Sequence, residues 1–233
     1  MPVVPTAALL RRLPPLPSGA RGEQARAELV EHDLAAAAWM YRIVDLEEMD
    51  SGWLTVGGER LHAPRLLPEG GRLTALGVAA CTLGPRIEQR VRELFHDRRP
   101  ALALALNDLG TELLFALARL AQDRLQAQAA ALGLTMSGEL RAGDPGLDLA
   151  AQPQVLRLAG ASAIGIGTTS GAQLTPGMSG TSVHGLGIDL PPTNWSRCDG
   201  CPSAARCRTA TRHRANTAGD AQAPMPLPDR APA

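Results

Sequence analysis

Apolar and polar positions in the first part of the chain predict a helix, a small hairpin and a buried strand, in that order. From Gly22 to Met49 the apolar residues recur at mixed spacings of three and four, which is typical of an amphipathic helix. Residues 53–63 have the composition of a β-hairpin that turns on Gly57 and Gly58. The apolar run from Leu73 to Cys81 predicts a buried strand.

Two helices are predicted after this strand. Pro85 favours the first position of a helix, and Pro100 opens a second, longer helix that extends to about Gly133. The apolar face of the first helix consists of Ile87, Val91, Leu94 and Phe95. Two helices in series predict an α-helical hairpin that packs on a sheet.

The pattern changes after Gly133. Residues 138–148 contain the turn-forming sequence Gly-Asp-Pro-Gly and predict a loop, and Gln152 to Ala159 predict a short helix. Residues 164–169 and 183–188 alternate apolar residues with glycine or polar residues. They predict two strands whose glycines allow another group to approach the backbone closely.

These patterns divide the chain into four parts. Residues 1–22 are rich in proline, glycine and arginine and predict an extended arm, whereas residues 23–190 predict one α+β domain. Residues 191–214 contain a cluster of cysteines, and the polar, Pro- and Ala-rich residues 215–233 predict a disordered tail.

Composition and charge exclude several classes of function. The chain has 23 basic and 23 acidic residues and a formal net charge of zero, which favours neither nucleic acid nor a membrane surface as a partner. It contains no lysine, so a Schiff base or a Walker A lysine is excluded. The first 17 residues do not have the order of a signal peptide, and the longest uncharged stretch, 158–188, is too polar to span a bilayer. We therefore expect a cytoplasmic protein.

Three cysteines near the C-terminal end are spaced like metal ligands. Cys198, Cys201 and Cys207 form the pattern C-x2-C-x5-C, whose first pair can place two thiolates on one metal. The fourth ligand is open between His213, a distant thiolate from Cys81, and a cluster iron that keeps one open position. The pattern predicts either an iron–sulfur cluster or a zinc ion.

An ordered series of segments resembles the activation domain of cobalamin-dependent methionine synthase, especially stand-alone versions with a short C-terminal cysteine cluster. The segments that carry the resemblance are ACTLGPRIE (80–88), ALNDLGTE (105–112), RAGDPGL (141–147), IGIGTTS (164–170) and SGTSVHG (179–185). The resemblance spans roughly residues 23–207. It implies an α+β fold with a twisted antiparallel sheet flanked by helices, with the cysteine-rich segment following it.

The resemblance also implies ligands and candidate site residues. The implied ligands are S-adenosylmethionine and a cobalamin whose cobalt, oxidised to Co(II), is reduced and remethylated from the sulfonium. Arg141 would hold the methionine carboxylate through a bidentate pair, and a gap-free alignment places Glu139 there instead. The candidate cofactor-binding residues are Asp108, Arg141, Gly165, Gly167 and His184.

Three hypotheses for function follow. In the first, the chain either catalyses or assists the reactivation of a corrinoid carried by a methyltransferase or methionine synthase core, with an electron donor as a further partner. The corrinoid has to arrive on another polypeptide, because this sequence lacks the D-x-H-x-x-G signature for cobalt ligation. Cobalt and sulfonium supply the nucleophile and the electrophile, so the protein needs to position them and no catalytic side chain is predicted. The second hypothesis is a non-catalytic iron–sulfur electron-transfer or scaffold protein on the same fold, and the third is a zinc-stapled interaction module.

Overall fold

The computed structural model of the chain describes residues 5–11 and 19–195. It has five helices in this part: α1 (Thr6–Leu10), α2 (Ala20–Glu31), α3 (Arg86–His96), α4 (Pro100–Ala131) and α5 (Gln152–Ala159). Six strands form the main sheet: β1 (Ala38–Asp50), β2 (Trp53–Val56), β3 (Glu59–His62), β4 (Arg72–Thr82), β5 (Thr135–Leu140) and β8 (Ser179–Ile188). Two short strands, β6 (Gly167–Thr168) and β7 (Leu174–Thr175), pair with each other. Short 3-10 helices cover Pro64–Leu66, Leu149–Ala151 and Ala161–Ile164.

The main sheet is antiparallel throughout and has the strand order β3-β2-β1-β4-β8-β5. Strand β4 is central and is covered on both faces, because Ala79 and Cys81 pack with helices α2–α4 whereas Val78 and Ala80 pack with α5 and the β2–β3 hairpin. Burial of both faces explains why β4 is a continuous apolar run in the sequence. The predicted α+β class, with an antiparallel sheet flanked by helices, is confirmed.

The predicted helix from Gly22 to Met49 is wrong in its second half. Helix α2 ends at Glu31, and the backbone N–H of Leu34 closes the end by donating to Leu29 O at 3.0 Å across Asp33, which has a φ of +45°. Glycine is the usual residue at such a left-handed helix end, so an aspartate there gave no stop signal. The following residues, from Ala38 onward, form β1 because β4 provides a complete partner strand for them.

Two further segments differ from the sequence prediction. Residues 138–140 were expected to belong to a loop but form the end of β5 (Thr135–Leu140), whose pairing with β8 continues across Gly138. Residues 164–169 were expected to be one strand, but the 3-10 helix Ala161–Ile164 ends in Gly165, which has a φ of +74°. Only Gly167–Thr168 is extended and paired in this segment. The hairpin on Gly57 and Gly58, the strand β4, the helices α3 and α4, the short helix α5 and the strand at 183–188 are confirmed.

The N-terminal residues add a small helix to the helical layer. Within residues 1–22, which the sequence assigns to an extended arm, Thr6–Leu10 is helix α1 and α2 begins at Ala20. Leu9 of α1 is fully buried in the cluster that contains Leu29 of α2 and Leu106 of α4. This burial explains why the short helix is ordered against α4.

Helix α4 is the core helix of the domain. Its length and apolarity would also suit a membrane span. The apolarity has a different cause here, because Leu106, Leu113 and Leu117 are fully buried together with Ala79 and Cys81 of the sheet. A core helix that packs on a sheet needs an apolar face of this kind.

Candidate functional site

An open cleft lies between α4 and the sheet strands β4, β5 and β8. The free space in and in front of it, with the open solvent at its mouth included, is about 360 Å³. Helix α4 provides an apolar wall of Leu114, Phe115, Ala118 and Ala121, and its polar Gln122 also lines the cleft. The sheet provides Ala79, Ala80, Cys81, Glu139, Arg141, Gly180, Thr181 and Ser182. We call this site the α4 cleft.

A β-bulge in β5 turns two charged side chains into the α4 cleft. The register between β5 and β8 shifts by one residue between Ser137 and Leu140, and Gly138 takes up the extra residue with a φ of +69°. Because side chains alternate along a strand, this shift reverses which residues face α4. Leu140 consequently points into the opposite core and is fully buried, while Glu139 and Arg141 line the α4 cleft.

Arg141 and Glu139 form an ion pair in the α4 cleft. The Nη2 atom of Arg141 lies 3.0 Å from Glu139 Oε1, and its Nε donates to the same oxygen at 3.1 Å. Each side chain is about a quarter exposed. The pair therefore presents a guanidinium and a carboxylate side by side at the mouth of a largely apolar cleft.

The loop after Arg141 is held in shape by its own hydrogen bonds. The backbone N–H of Arg141 donates to Asp144 Oδ2 at 2.9 Å, and the N–H of Gly143 donates to Leu147 O at 2.8 Å. Leu147 is buried against the core beneath the loop. Both alternatives left by the sequence lie at the site, because Arg141 and Glu139 line the same cleft two residues apart.

His184 lies behind the α4 cleft and is fully buried. Its Nδ1 lies 2.8 Å from Gly138 O, and its Nε2 lies 3.1 Å from the Oγ of Ser182, which lines the cleft. Burial lowers the pKa of His184, and nearby Arg141 acts in the same direction, while Glu139 and the hydrogen bond to Gly138 oppose the shift. The ring is therefore neutral at physiological pH, with both nitrogens satisfied by the protein.

Cys81 forms part of the floor of the α4 cleft. Burial raises the pKa of its thiol to about 12, so it is protonated at neutral pH. Metal ligation requires the thiolate, and a buried thiol of this kind behaves as a small apolar group. The structure thus supports the interpretation of Cys81 as a buried core residue, and its role as a distant fourth metal ligand stays a prediction.

The other predicted ligand residues lie outside the lining of the α4 cleft. Asp108 is exposed on α4, near its first turns, and Gly165 is exposed at the end of a 3-10 helix. Gly167 pairs with Thr175 in the small β6–β7 sheet. Of the predicted set, Arg141 lines the cleft directly and His184 contacts it through Ser182. The roles of all five residues, Asp108, Arg141, Gly165, Gly167 and His184, as cofactor-binding residues stay predictions.

Sequence reasoning missed Gly180 and Ser182 as residues of the cleft, and the α4 residues that form its apolar wall. The two β8 residues were visible in principle, since residues 180, 182 and 184 share one face of a strand by alternation. The contribution of α4 was not visible, because Leu114 and Phe115 belong to a long apolar pattern that gives no sign of which residues border a gap.

A second cleft, of about 640 Å³ with its open mouth, lies between the residues 64–69 and the residues 191–195. Arg65 connects it to the loop that follows Arg141. Its Nη1 donates to Pro145 O at 3.3 Å, and its guanidinium carbon lies 4.4 Å from the centre of the Trp195 ring. The segment that contains Trp195 is also fixed to β5, because Thr193 Oγ1 accepts a hydrogen bond from the N–H of Gly138 at 2.6 Å.

The predicted metal ligands Cys198, Cys201 and Cys207 lie outside the described residues. Within residues 5–11 and 19–195, no group of three or more His, Cys, Asp or Glu side chains is arranged to hold a metal ion. The iron–sulfur cluster and the zinc ion both stay predictions.

Comparison with known proteins finds a similar fold among solved structures and no similar sequence family. No protein-family model and no curated protein matches the sequence. Among solved structures, the chain is similar to the MetH reactivation domain bound to AdoHcy, with a TM-score of 0.55 and 10% sequence identity. The match covers 87% of this chain and 74% of that one. The chain therefore has the fold of the MetH reactivation domain, as the resemblance in the sequence predicted.

Proposed function

We propose that this chain binds S-adenosylmethionine in the α4 cleft and presents it to a corrinoid carried by a partner protein. The observation that carries the proposal is the Arg141–Glu139 pair at the mouth of a largely apolar cleft, in a chain with the fold of a domain that has been crystallised with AdoHcy. The partner would be a corrinoid-binding methyltransferase or a methionine synthase core, and an electron donor would reduce the cobalt.

The charges of the cleft complement those of the methionine moiety. S-adenosylmethionine carries a carboxylate, an ammonium group and a sulfonium, together with an apolar, aromatic adenine. Arg141 suits the carboxylate because a guanidinium can bind it through two parallel hydrogen bonds. Glu139 suits the cationic groups, and the wall that includes Leu114 and Phe115 offers an apolar surface for the remainder of the ligand.

Calorimetric titration with S-adenosylmethionine tests the binding proposal. The Arg141→Ala variant should bind roughly 10- to 100-fold more weakly, which corresponds to the loss of a hydrogen-bonded charge pair. Arg119→Ala is the matched control, because Arg119 is an exposed arginine of α4 that does not line the cleft. Equal affinity for wild type and Arg141→Ala would contradict the assigned role of Arg141.

A cleft-filling variant tests the location independently of charge. A Cβ atom added at Gly180 would lie 3.6 Å from Cys81 Sγ, an ordinary van der Waals distance. The site therefore admits a Cβ atom, and a Gly180→Val variant whose circular dichroism matches that of wild type should weaken binding by obstructing the cleft. If wild type binds S-adenosylmethionine and the folded Gly180→Val variant binds equally well, the ligand lies elsewhere.

The corrinoid step requires a separate experiment. Mixing the full chain with a corrinoid protein in the Co(II) state, S-adenosylmethionine and a reductant should produce the absorbance of methyl-Co(III), whereas the Arg141→Ala variant should do so more slowly. Ligand binding without any spectral change with candidate corrinoid partners would leave binding intact and refute the reactivation role. A cytoplasmic location is the corresponding expectation for such a system.

A further inference from the structure

Ser182 is hydrogen-bonded to a buried histidine behind the wall of the α4 cleft. Ser182 and His184 lie two residues apart on β8 and therefore share one face of the sheet. The Oγ of Ser182 lies 3.1 Å from His184 Nε2, and His184 Nδ1 lies 2.8 Å from Gly138 O. His184 has no exposed surface, so water does not compete for either ring nitrogen.

The direction of the two hydrogen bonds that link Ser182, His184 and Gly138 follows from the carbonyl oxygen of Gly138, which can only accept. A carbonyl oxygen can only accept, so the Nδ1 of His184 carries a hydrogen and donates to Gly138 O. A neutral imidazole carries one hydrogen on its two nitrogens, and because that hydrogen is on Nδ1, Nε2 is an acceptor. The hydroxyl of Ser182 consequently donates its only hydrogen to His184 Nε2. Toward the α4 cleft, Ser182 can therefore only accept a hydrogen bond, through the lone pairs of its Oγ.

This polarity adds a second hydrogen-bond acceptor to the α4 cleft, in addition to Glu139. Glu139 and Ser182 both line the α4 cleft, on the neighbouring strands β5 and β8. An ionised carboxylate and a hydroxyl whose hydrogen is engaged are both acceptors, so a ligand group placed between them must donate. Arg141, next to Glu139, is the donor in the same cleft.

We propose that Ser182, oriented by His184, accepts a hydrogen bond from the α-ammonium group of an amino-acid ligand whose carboxylate is held by Arg141. This inference rests on the proposed function and specifies which residues select the amino-acid end of the ligand. An ammonium and a carboxylate on one carbon atom match a neighbouring pair of acceptors and a neighbouring guanidinium. Ser182 is a binding residue in this arrangement, and His184 is a positioning residue.

Three ligands separate the contributions of these groups. S-adenosylmethionine carries the ammonium and the carboxylate, decarboxylated S-adenosylmethionine keeps the ammonium alone, and 5′-methylthioadenosine has neither. The Ser182→Ala variant should lose about tenfold in affinity for the first two ligands and none for the third. Arg141→Ala should weaken the first and leave the second unchanged.

Matched variants keep the result independent of folding. Ser179→Ala removes a hydroxyl from the same strand, where the Oγ of Ser179 donates to Thr82 Oγ1 at 2.8 Å outside the cleft lining. It should bind all three ligands like wild type. Ser182→Thr retains a hydroxyl and should restore affinity for the two ammonium-bearing ligands.

The tautomer of His184 gives a readout that a merely structural role would not require. Long-range ¹H–¹⁵N spectra of the full chain should show a protonated Nδ1 and an unprotonated Nε2 for His184, assigned against the other four histidines by single substitutions. An Nε2–H tautomer, or Ser182→Ala binding equal to wild type for S-adenosylmethionine, overturns the inference and leaves the proposed function standing. Failure of wild type to bind S-adenosylmethionine at all overturns both.

Discussion

The β-bulge at Gly138 allows a sharp test of how the α4 cleft is built. Gly138 has a φ of +69°, and an added Cβ atom would lie 2.9 Å from Leu66 Cδ2 and 3.3 Å from Trp195 Cζ2. The Gly138→Ala variant therefore has to accept a left-handed backbone and displace neighbouring side chains. The same residue sets the register that turns Glu139 and Arg141 toward the cleft.

The loss of stability in Gly138→Ala is the sum of a backbone cost and a packing cost. A left-handed conformation costs an alanine about 1–2 kcal/mol relative to glycine. Contacts of this length require Leu66 to shift, and overpacking of this kind costs about 1–3 kcal/mol. We expect Gly138→Ala to lower the free energy of unfolding by about 2–5 kcal/mol, the sum of these two costs. It should also weaken S-adenosylmethionine binding, because the strained bulge displaces Glu139 and Arg141.

Urea unfolding of two separate variants, Gly138→Ala and Gly133→Ala, distinguishes the backbone cost from the packing cost. Gly133 has a nearly equal φ of +73°, and no described atom lies within 4 Å of an added Cβ there. Gly133→Ala should therefore show the backbone cost alone, about 1–2 kcal/mol, with unchanged ligand affinity. If both variants lose the same free energy of unfolding and bind equally, Leu66 and Trp195 do not pack on Gly138 and the bulge does not orient the cleft.

Three further predictions concern other parts of the chain. Arg65→Ala should weaken S-adenosylmethionine binding several-fold, because the loop carrying Pro145 loses its hydrogen bond to that guanidinium, and calorimetry with unchanged circular dichroism would establish this. Hydrogen bonding to Arg90 holds the pKa of Glu28 below its usual 4.5, so Glu28→Gln should reduce stability by about 1 kcal/mol above pH 5. This difference should shrink as the pH falls through the lowered pKa, and a difference that is constant down to pH 2 would contradict it. Cys198→Ser should reduce the iron or zinc content of the purified protein, measured by elemental analysis with acid-labile sulfide, and equal metal content would refute ligation by that residue.

The elements that the sequence predicted correctly are those whose signals are local. Strand β4 was visible because both of its faces are buried and its residues form one apolar run. Helix α4 was visible because Pro100 marks its start and its apolar positions continue over many turns. Strand β1 was not visible, since the run of alanines at residues 35–38, which ends at its first residue, favours helix and pairing with β4 overrides that preference. Tertiary pairing of this kind is absent from any short window of sequence.

Part of the candidate site was predictable from the sequence, namely Arg141 and Glu139, whereas Ser182 was not. Arg141 was found by resemblance to a motif, and its partner Glu139 entered as an alignment alternative two residues away. Residues 139 and 141 share a face because side chains two apart along an extended segment point the same way, and the bulge turns that face toward the α4 cleft. Ser182 had no motif of its own, and its significance depends on a histidine and a backbone carbonyl whose distances only the fold determines.

The α4 cleft is assembled from three separate parts of the sequence. Its walls come from the middle of α4, from β5 and from β8, and each contributes through a different property: apolar volume, paired charge and hydrogen-bond polarity. None of these properties requires one particular residue at one particular spacing, provided that the sheet register and the bulge at Gly138 are kept. The chain shares 10% of its residues with the MetH reactivation domain and has that fold. It follows that changes in the backbone register at Gly138 should impair ligand binding more than conservative changes among the apolar residues of the α4 wall.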